Sequence, residues 1–375
     1  MKKRPIYLLS LGHLVTDLNQ GAIPAMLPFL VAELDLTYAA AAGIVFAANI
    51  TSTVVQPIFG HAADRFSKAW LMPLALLLAG SGVAMIGMLE SYNAILCFAG
   101  ISGIGIAAYH PEAARRVNLS GGEQKAQAMS IFGIGGTLGF ATGPLFITTA
   151  ILWFGLKGSL SVLVPVGLVA MLVLIYLPAP QPTRKPSAGH GAIEHGDNWR
   201  AFSLLSICVT ARSVLFFGLL TFVPLYWVNI LGQTKVAGGM ALSVMTISGV
   251  LGNLIGGRFA DRFGNTRIIL SGFAMLLGLV PLLLWAANPV AALLALIPIG
   301  FALMATYAPS VVLGQKYLPN HIGFASGITL GIAVAAGGIA APFLGRIADT
   351  YGLVTVFSGL AILPMVNSVI THLWP

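Results

Sequence analysis

Apolar stretches of about 20 residues recur along almost the whole chain, separated by short polar or glycine- and proline-containing turns. A helix of about this length crosses the roughly 30 Å of hydrocarbon in a bilayer. Of the 375 residues, 57% are hydrophobic and only 8% are charged, whereas a soluble domain has about 25% charged residues. The sequence therefore predicts an all-α integral membrane protein.

The apolar stretches predict twelve transmembrane helices, six in an N-terminal bundle (1–178) and six in a C-terminal bundle (200–375). Between them, residues 179–199 are polar and rich in Pro and Gly, which is typical of a linker. We interpret His190 and His195 in this linker as solvated side chains rather than metal ligands. The predicted helices are 6–31, 40–62, 70–89, 93–117, 126–153, 158–178, 200–230, 237–259, 267–286, 290–315, 322–345 and 352–373.

The distribution of Lys and Arg predicts the orientation, because these residues are enriched in cytoplasmic loops. Of the nineteen basic residues, fifteen fall on one side if both termini are cytoplasmic, three fall on the other, and Arg212 lies within a span. This asymmetry indicates an even number of spans, with both termini and the linker in the cytoplasm. The first apolar stretch is long and no small-residue cleavage site follows it, so we expect it to be a retained helix.

The two halves resemble each other at a nearly constant offset. Gly60-His-Ala-Ala-Asp64-Arg65 matches Gly257-Arg-Phe-Ala-Asp261-Arg262 at an offset of 197 residues. The pairs Tyr109/Tyr307, Pro111/Pro309 and Pro144/Pro342 share an offset of 198, and Pro28/Pro224 differ by 196. Parallel repeats of this kind are a known transporter architecture.

Several other classes of protein are disfavoured. The formal charge of +8 is spread over many loops instead of forming one patch, which argues against nucleic acid as a partner. Cys97 and Cys208 both lie in apolar stretches without metal-like spacing, so neither disulfides nor a metal site are expected. The sequence contains no nucleotide-binding loop and no cluster with nucleophile or ligand spacing. We therefore expect neither an enzyme nor a bound cofactor.

The duplicated loops resemble the signature of the major facilitator superfamily, and the resemblance covers nearly the whole chain. It implies a gating role on the cytoplasmic face for Gly60, Asp64 and Arg65, and for Asp261 and Arg262 in the second copy. The fifth helix carries small residues at every fourth position, Gly135, Gly139 and Gly143, followed by Pro144. This pattern resembles part of an antiporter motif, and close helix packing explains the same residues equally well.

Two further segments resemble the fosmidomycin resistance transporter family. One is His13-Leu-Val-Thr-Asp17-Leu-Asn-Gln20 in the first helix, and the other is His110-Pro-Glu112-Ala-Ala-Arg115 in the fourth, followed by Ser120-Gly-Gly122 and Gln127-Ala-Met-Ser-Ile-Phe132. The resemblance implies a proton-driven exporter of drugs or small metabolites, phosphonates among them, in a bacterial inner membrane.

The residues themselves indicate a transport site. His13, Asp17 and Gln20 share one face of an otherwise apolar helix, and an ionisable group inside a span usually faces a cavity or a proton path. A packing histidine and a structural ion pair are the alternative interpretations of His13 and Asp17. Glu112 is spaced to pair with Arg115 or Arg116, either within a site or merely at the membrane interface.

Arg212 lies in the seventh helix at a depth similar to that of Asp17 in the first. We expect it to be either a clamp for an anionic substrate or a counter-ion to Asp17. A group of polar side chains could line the same cavity: Tyr226, Tyr307, Asn49, Asn253 and Gln315.

The sequence thus favours a secondary transporter that works by alternating access, with proton-coupled export of a drug or small, possibly anionic, metabolite. The candidate substrate- or proton-binding residues are His13, Asp17, Gln20, His110, Glu112, Arg115, Arg212, Tyr226 and Tyr307. An importer of a small organic solute, or a membrane sensor or scaffold without transport, are the alternatives. We expect a small molecule and the lipid bilayer as partners, and a monomer.

Overall fold

The computed structural model describes residues 3–65, 70–122, 125–177, 196–286, 288–319 and 333–372, together with 325, 328 and 329. The chain divides into two compact units, one of residues 1–36 and 43–185 and the other of residues 37–42 and 186–375. Every regular element within the described ranges is a helix, as the composition predicts.

Unit 1 contains α1 (Lys3–Leu34), α2 (Tyr38–Arg65), α3 (Leu71–Ile86), α4 (Tyr92–Gly121), α5 (Lys125–Phe154), a 3₁₀ helix (Gly155–Val162) and α6 (Leu163–Tyr176). Unit 2 contains α7 (Trp199–Asn229), α8 (Lys235–Phe263), α9 (Asn265–Leu284), α10 (Pro289–Ala305), α11 (Tyr307–Tyr317), α12 (Ala333–Tyr351) and α13 (Leu353–His372). Eight helical segments of the described chain are long and apolar enough to cross a membrane. Two of these segments include more than one of the helices named above. Ile131–Tyr176 runs through α5, the 3₁₀ helix and α6, and Pro289–Tyr317 runs through α10 and α11.

Several predicted helix ends differ from the structure by a few residues, and two of the differences have a local cause. The predicted tenth helix, 290–315, is divided at Thr306 into α10 and α11. Pro309 explains the division, because its nitrogen cannot donate to the carbonyl four residues earlier and its ring crowds that carbonyl. The predicted eleventh helix was expected to end at 345, but α12 continues to Tyr351 and ends before Gly352, whose φ is +85°.

The first residues of α2 belong to unit 2, where they contact α12. The carboxylate of Asp349 accepts hydrogen bonds from the backbone amides of Tyr38 and Ala39, at 2.6 and 3.0 Å. An acidic side chain satisfies the free amides at a helix N-terminus and is attracted by the helix dipole. Gly345, one turn before Asp349, allows the close approach, because a Cβ there would lie 2.6 Å from the Cα of Ala39.

In unit 1, α1 and α5 pack backbone against backbone. A Cβ added at Gly135, Gly139 or Gly143 would overlap the carbonyl oxygens of Ser10, Leu14 and Leu18, respectively. These α1 residues are spaced four apart, as the three glycines are, so the two helices meet along one stripe. Packing of small residues therefore accounts for these three glycines, and it brings polar groups of α1 within reach of the α5 backbone.

We predict that Gly139→Ala destabilises the protein by about 1 to 3 kcal/mol, because the new methyl group must displace the α1 backbone. Gly133→Ala is the matched control on the same helix, since nothing lies within 4 Å of its added Cβ. That change should be neutral or stabilising by up to about 1 kcal/mol through helix propensity. Thermal unfolding in detergent would measure both, and equal melting temperatures would contradict the close packing.

Candidate functional site

Asp17 lies between two histidines inside unit 1. Its Oδ2 atom is 3.2 Å from Nε2 of His13, one turn earlier on α1, and its Oδ1 atom is 2.8 Å from Nε2 of His110 on α4. The Asp17 side chain is only 14% exposed. The structure therefore brings together three residues that the sequence predicted as candidates from two separate helices.

The hydrogen bonds determine where the protons lie. His13 Nδ1 is 2.8 Å from the backbone carbonyl oxygen of Phe132, which can only accept, so Nδ1 donates. The other nitrogen of His13 faces a carboxylate oxygen, which is also an acceptor unless it is protonated. A proton must therefore lie between His13 Nε2 and Asp17 Oδ2 for that contact to be attractive. His110 Nε2 lies 2.8 Å from Asp17 Oδ1, so it donates a second hydrogen bond when this carboxylate is ionised.

The same three side chains are of the types that bind transition metals, and their donor atoms lie within 4.8 Å of one another. Two ligands about 2.0 Å from a tetrahedral zinc ion are roughly 3.3 Å apart. The 2.8 Å between Asp17 Oδ1 and His110 Nε2 is instead the length of a direct hydrogen bond. The geometry thus fits a cluster that shares protons better than a metal centre.

Residues of helix α5 pack against His13. The ring of Phe132 stacks on the imidazole with centroids 4.0 Å apart and an interplanar angle of 19°. Gly136 lies against the His13 ring, and a Cβ there would also come within 2.7 Å of Asp17 Oδ2. In the sequence, Phe132 stands out only as part of a segment of family resemblance, and Gly136 was not a predicted site residue. The only available signal was that Gly136 breaks the four-residue spacing of the other glycines.

Two other contacts hold the polar face of α1 in place. Gln20 donates through Nε2 to Oδ1 of Asn49 on α2, at 3.2 Å. The fully buried Tyr109, next to His110 on α4, donates its hydroxyl proton to the carbonyl oxygen of Leu9, at 2.7 Å. Gln20 and Asn49, both predicted as polar lining residues, are thus part of a hydrogen-bonded pair between α1 and α2.

Glu112 forms a buried cluster with two arginines of the same helix. Its carboxylate accepts two hydrogen bonds from Arg115, at 2.9 and 3.0 Å, and one from Nε of Arg116, at 2.6 Å. The Glu112 side chain is completely buried, which is inconsistent with charges that merely reach out from the membrane interface. Both predicted pairings, at i+3 and i+4, are present.

In unit 2, the side chain of Arg212 on α7 is buried, with only 3% of the residue exposed. Its guanidinium lies over the ring of Tyr307, 5.1 Å from the centroid. Its Nε atom has no hydrogen-bond partner, and no carboxylate of the described chain forms an ion pair with it. Tyr226 is buried elsewhere in this unit, with its ring 4.6 Å from that of Phe357.

The residues predicted to form gates lie at helix ends. Asp261 and Arg262 are exposed in the last turn of α8, where Arg262 lies 5.2 Å from the ring centroid of Phe263. Gly60, Asp64 and Arg65 belong to the last turns of α2, but their side chains lie outside the described part of the structure. Gating by both loops stays a prediction.

Comparison with known proteins agrees with the helical architecture. A family model described as Major Facilitator Superfamily matches residues 9–342. The chain is 28% identical over 374 residues to the fosmidomycin resistance protein of Escherichia coli (strain K12), covering 96% of this chain and 90% of that protein. It is also 28% identical over 375 residues to an uncharacterized MFS-type transporter, YfnC, of Bacillus subtilis (strain 168), with coverage of 96% and 90%. The crystal structure of the nucleoside transporter NupG has a TM-score of 0.77 at 15% identity, covering 99% of this chain and 98% of that one.

We predict that Glu112→Gln lowers the unfolding free energy by about 3 to 5 kcal/mol, because the buried Arg116 and the partly buried Arg115 lose the carboxylate that they share. The double substitution of Glu112 and Arg116 by Gln should recover part of this loss. Glu33→Gln, at an exposed position of α1, is the control. A Glu112→Gln protein of normal thermal stability that no longer transports would show that the carboxylate serves transport and not structure.

Proposed function

This chain belongs to the Major Facilitator Superfamily, whose members are membrane transporters and not enzymes, and on that premise we propose that it is a proton-coupled exporter of a drug or small metabolite. The observation that carries the proposal is the cluster of Asp17, His13 and His110. A proton binds between an imidazole and a carboxylate, both of which can exchange it, in a place shielded from bulk water.

Coupling follows from the chemistry of the cluster. With a proton on each side of Asp17, the carboxylate is neutralised and both of its oxygens are hydrogen-bonded. Loss of the proton shared with His13 leaves two acceptors facing each other and an uncompensated negative charge among apolar helices, which is costly. The two protonation states therefore favour different arrangements of these helices, as alternating access requires.

Export and an anionic substrate are supported by two separate features. The relative in Escherichia coli is named for resistance to fosmidomycin, and efflux is the simplest way for a transporter to confer resistance. Arg212 is a buried cation that forms no ion pair with the described carboxylates, so an anionic substrate group would compensate its charge. A guanidinium binds carboxylate, phosphate and phosphonate groups through two parallel hydrogen bonds.

We also propose that the protein is a monomer in a bacterial inner membrane, with both termini and residues 179–199 in the cytoplasm. The fifteen-to-three distribution of basic residues between the two sides supports this orientation. The loops around Asp64 and Asp261 would then lie on the cytoplasmic side and act as gates there.

We predict that Asp17→Asn abolishes transport driven by a pH gradient but leaves the protein folded, because the amide keeps the shape and cannot exchange a proton. Flux of fosmidomycin into proteoliposomes with an imposed pH gradient would measure this. Glu33→Gln removes an exposed carboxylate from the same helix and should transport normally. Gradient-driven accumulation by Asp17→Asn at the rate of the unmodified protein would rule out the coupling role.

We predict further that Arg212→Lys weakens fosmidomycin binding at least about tenfold, because an ammonium group cannot reproduce the forked hydrogen bonds of a guanidinium. Arg258→Lys, the same change at an exposed position of α8, should leave affinity unchanged. Binding to purified protein would be followed by calorimetry. Equal affinities for the two variants would remove Arg212 from the substrate site.

A further inference from the structure

The immediate surroundings of His13 are formed largely by one turn of α5. Phe132 contributes both its ring, which stacks on the imidazole at 4.0 Å, and its carbonyl oxygen, which accepts from Nδ1 at 2.8 Å. Gly136, four residues later, contributes the space that the His13 ring and Asp17 occupy. The site thus depends on a backbone carbonyl and on the absence of a side chain, neither of which is ionisable.

The position of the glycine has a geometric reason. A helical side chain lies over the turn that precedes it, so a side chain at position 136 would cover the turn that contains Phe132. An added Cβ would meet the His13 ring and lie 2.7 Å from Asp17 Oδ2. Gly136 is therefore what allows His13 to reach the Phe132 carbonyl and Asp17 at the same time.

We infer that Phe132 and Gly136 are positioning residues for the proton site, which hold His13 so that its exchangeable nitrogen faces Asp17. The inference rests on the proton coupling proposed above and deepens it. The Phe132 carbonyl fixes one proton on Nδ1, so that Nε2 alone gains and loses the proton shared with Asp17.

The number of hydrogen bonds that His13 donates depends on its protonation state, and one of these bonds joins α1 to α5. A doubly protonated His13 donates to Phe132 on α5 and to Asp17 on α1 at once. A neutral imidazole has a single N–H and can keep only one of these hydrogen bonds. Because Phe132 holds the remaining proton on Nδ1, release of the proton from Nε2 costs the hydrogen bond to Asp17, and the hydrogen bond to the α5 backbone keeps His13 in position to take the proton up again.

Few other charged groups face His13. From α4 come His110, whose ring centroid is 4.9 Å away, and Tyr109, whose hydroxyl is bound to Leu9. The sequences of α3 and α6 contain no acidic or basic residue, and α5 has only Lys125, at its first position. The other ionisable residues in the sequences of the elements next to α1 are Tyr92, Cys97, Glu112, Arg115 and Arg116 on α4, Lys157 on the 3₁₀ helix, Tyr176 on α6, and Tyr38, His61, Asp64 and Arg65 on α2.

The test compares the pH dependence of transport in Gly136→Ala and Gly133→Ala. Both variants add one methyl group to α5, but only the first meets the His13–Asp17 pair, whereas nothing lies within 4 Å of the second. Displacing His13 from Asp17 removes the anion that stabilises the imidazolium, so the proton should leave more readily. We expect the midpoint of the pH profile of fosmidomycin exchange to move down by about one pH unit or more in Gly136→Ala, and to stay unchanged in Gly133→Ala.

A double-mutant cycle shows whether the effect passes through His13. In a His13→Gln background, Gly136→Ala should cause no further shift of the profile. Phe132→Leu keeps the carbonyl and removes only the ring, so it should give a smaller shift in the same direction with a folded protein. This variant preserves the test if Gly136→Ala does not fold. The inference is wrong if Gly136→Ala and Gly133→Ala have the same pH profile, or if the shift persists without His13. If Gly136→Ala does not fold, an unshifted pH profile of Phe132→Leu overturns the inference instead.

The inference and the proposed function fail in different ways. If Asp17→Asn still accumulates substrate along a pH gradient, proton coupling through this cluster is wrong. If Asp17→Asn is inactive but the two alanine variants on α5 share one pH profile, the proton site stands and only its positioning by α5 is wrong.

Discussion

A carboxylate among apolar helices must be neutralised, and the surroundings of Asp17 follow from this requirement. Its two oxygens are occupied by two histidines on different helices, and one of those histidines is in turn fixed by the backbone of a third. Each contact adds a constraint on how α1, α4 and α5 can lie. The polar cluster therefore helps to specify the packing of this part of unit 1.

Close backbone packing makes those contacts possible. In a membrane, helices gain little from hiding apolar surface from water, so they associate through tight van der Waals contact and hydrogen bonds between helices. The glycine stripe of α5 brings its backbone onto α1, and Ser10 and His13 then reach carbonyl oxygens of Ile131 and Phe132. A larger residue in the stripe would separate the helices by more than a hydrogen bond can span.

The sequence predicted the helical class and much of the cluster for identifiable physical reasons. Helix length and apolar content are local properties, and the polar face of α1 follows from helical periodicity, so Asp17 and His13 could be found. The break at Thr306 could have been anticipated from Pro309. The partnership of Asp17 with His110 could not, since it depends on how α4 lies against α1. The parts played by Phe132 and Gly136 are harder still to predict, because a backbone carbonyl and a missing side chain leave no chemical signature in the sequence.

The two repeats differ in the buried charge that they contain and in the groups that surround it. Asp17 in α1 has two imidazole partners, a type of group that can take up and release protons. Arg212, at nearly the equivalent place in α7, is an always-charged guanidinium over the ring of Tyr307, and the described carboxylates leave it without an ion pair. In the proposed function, an anionic group of the substrate neutralises this fixed cation. The proposed function thus assigns the chemistry of proton exchange to one unit and the chemistry of anion recognition to the other.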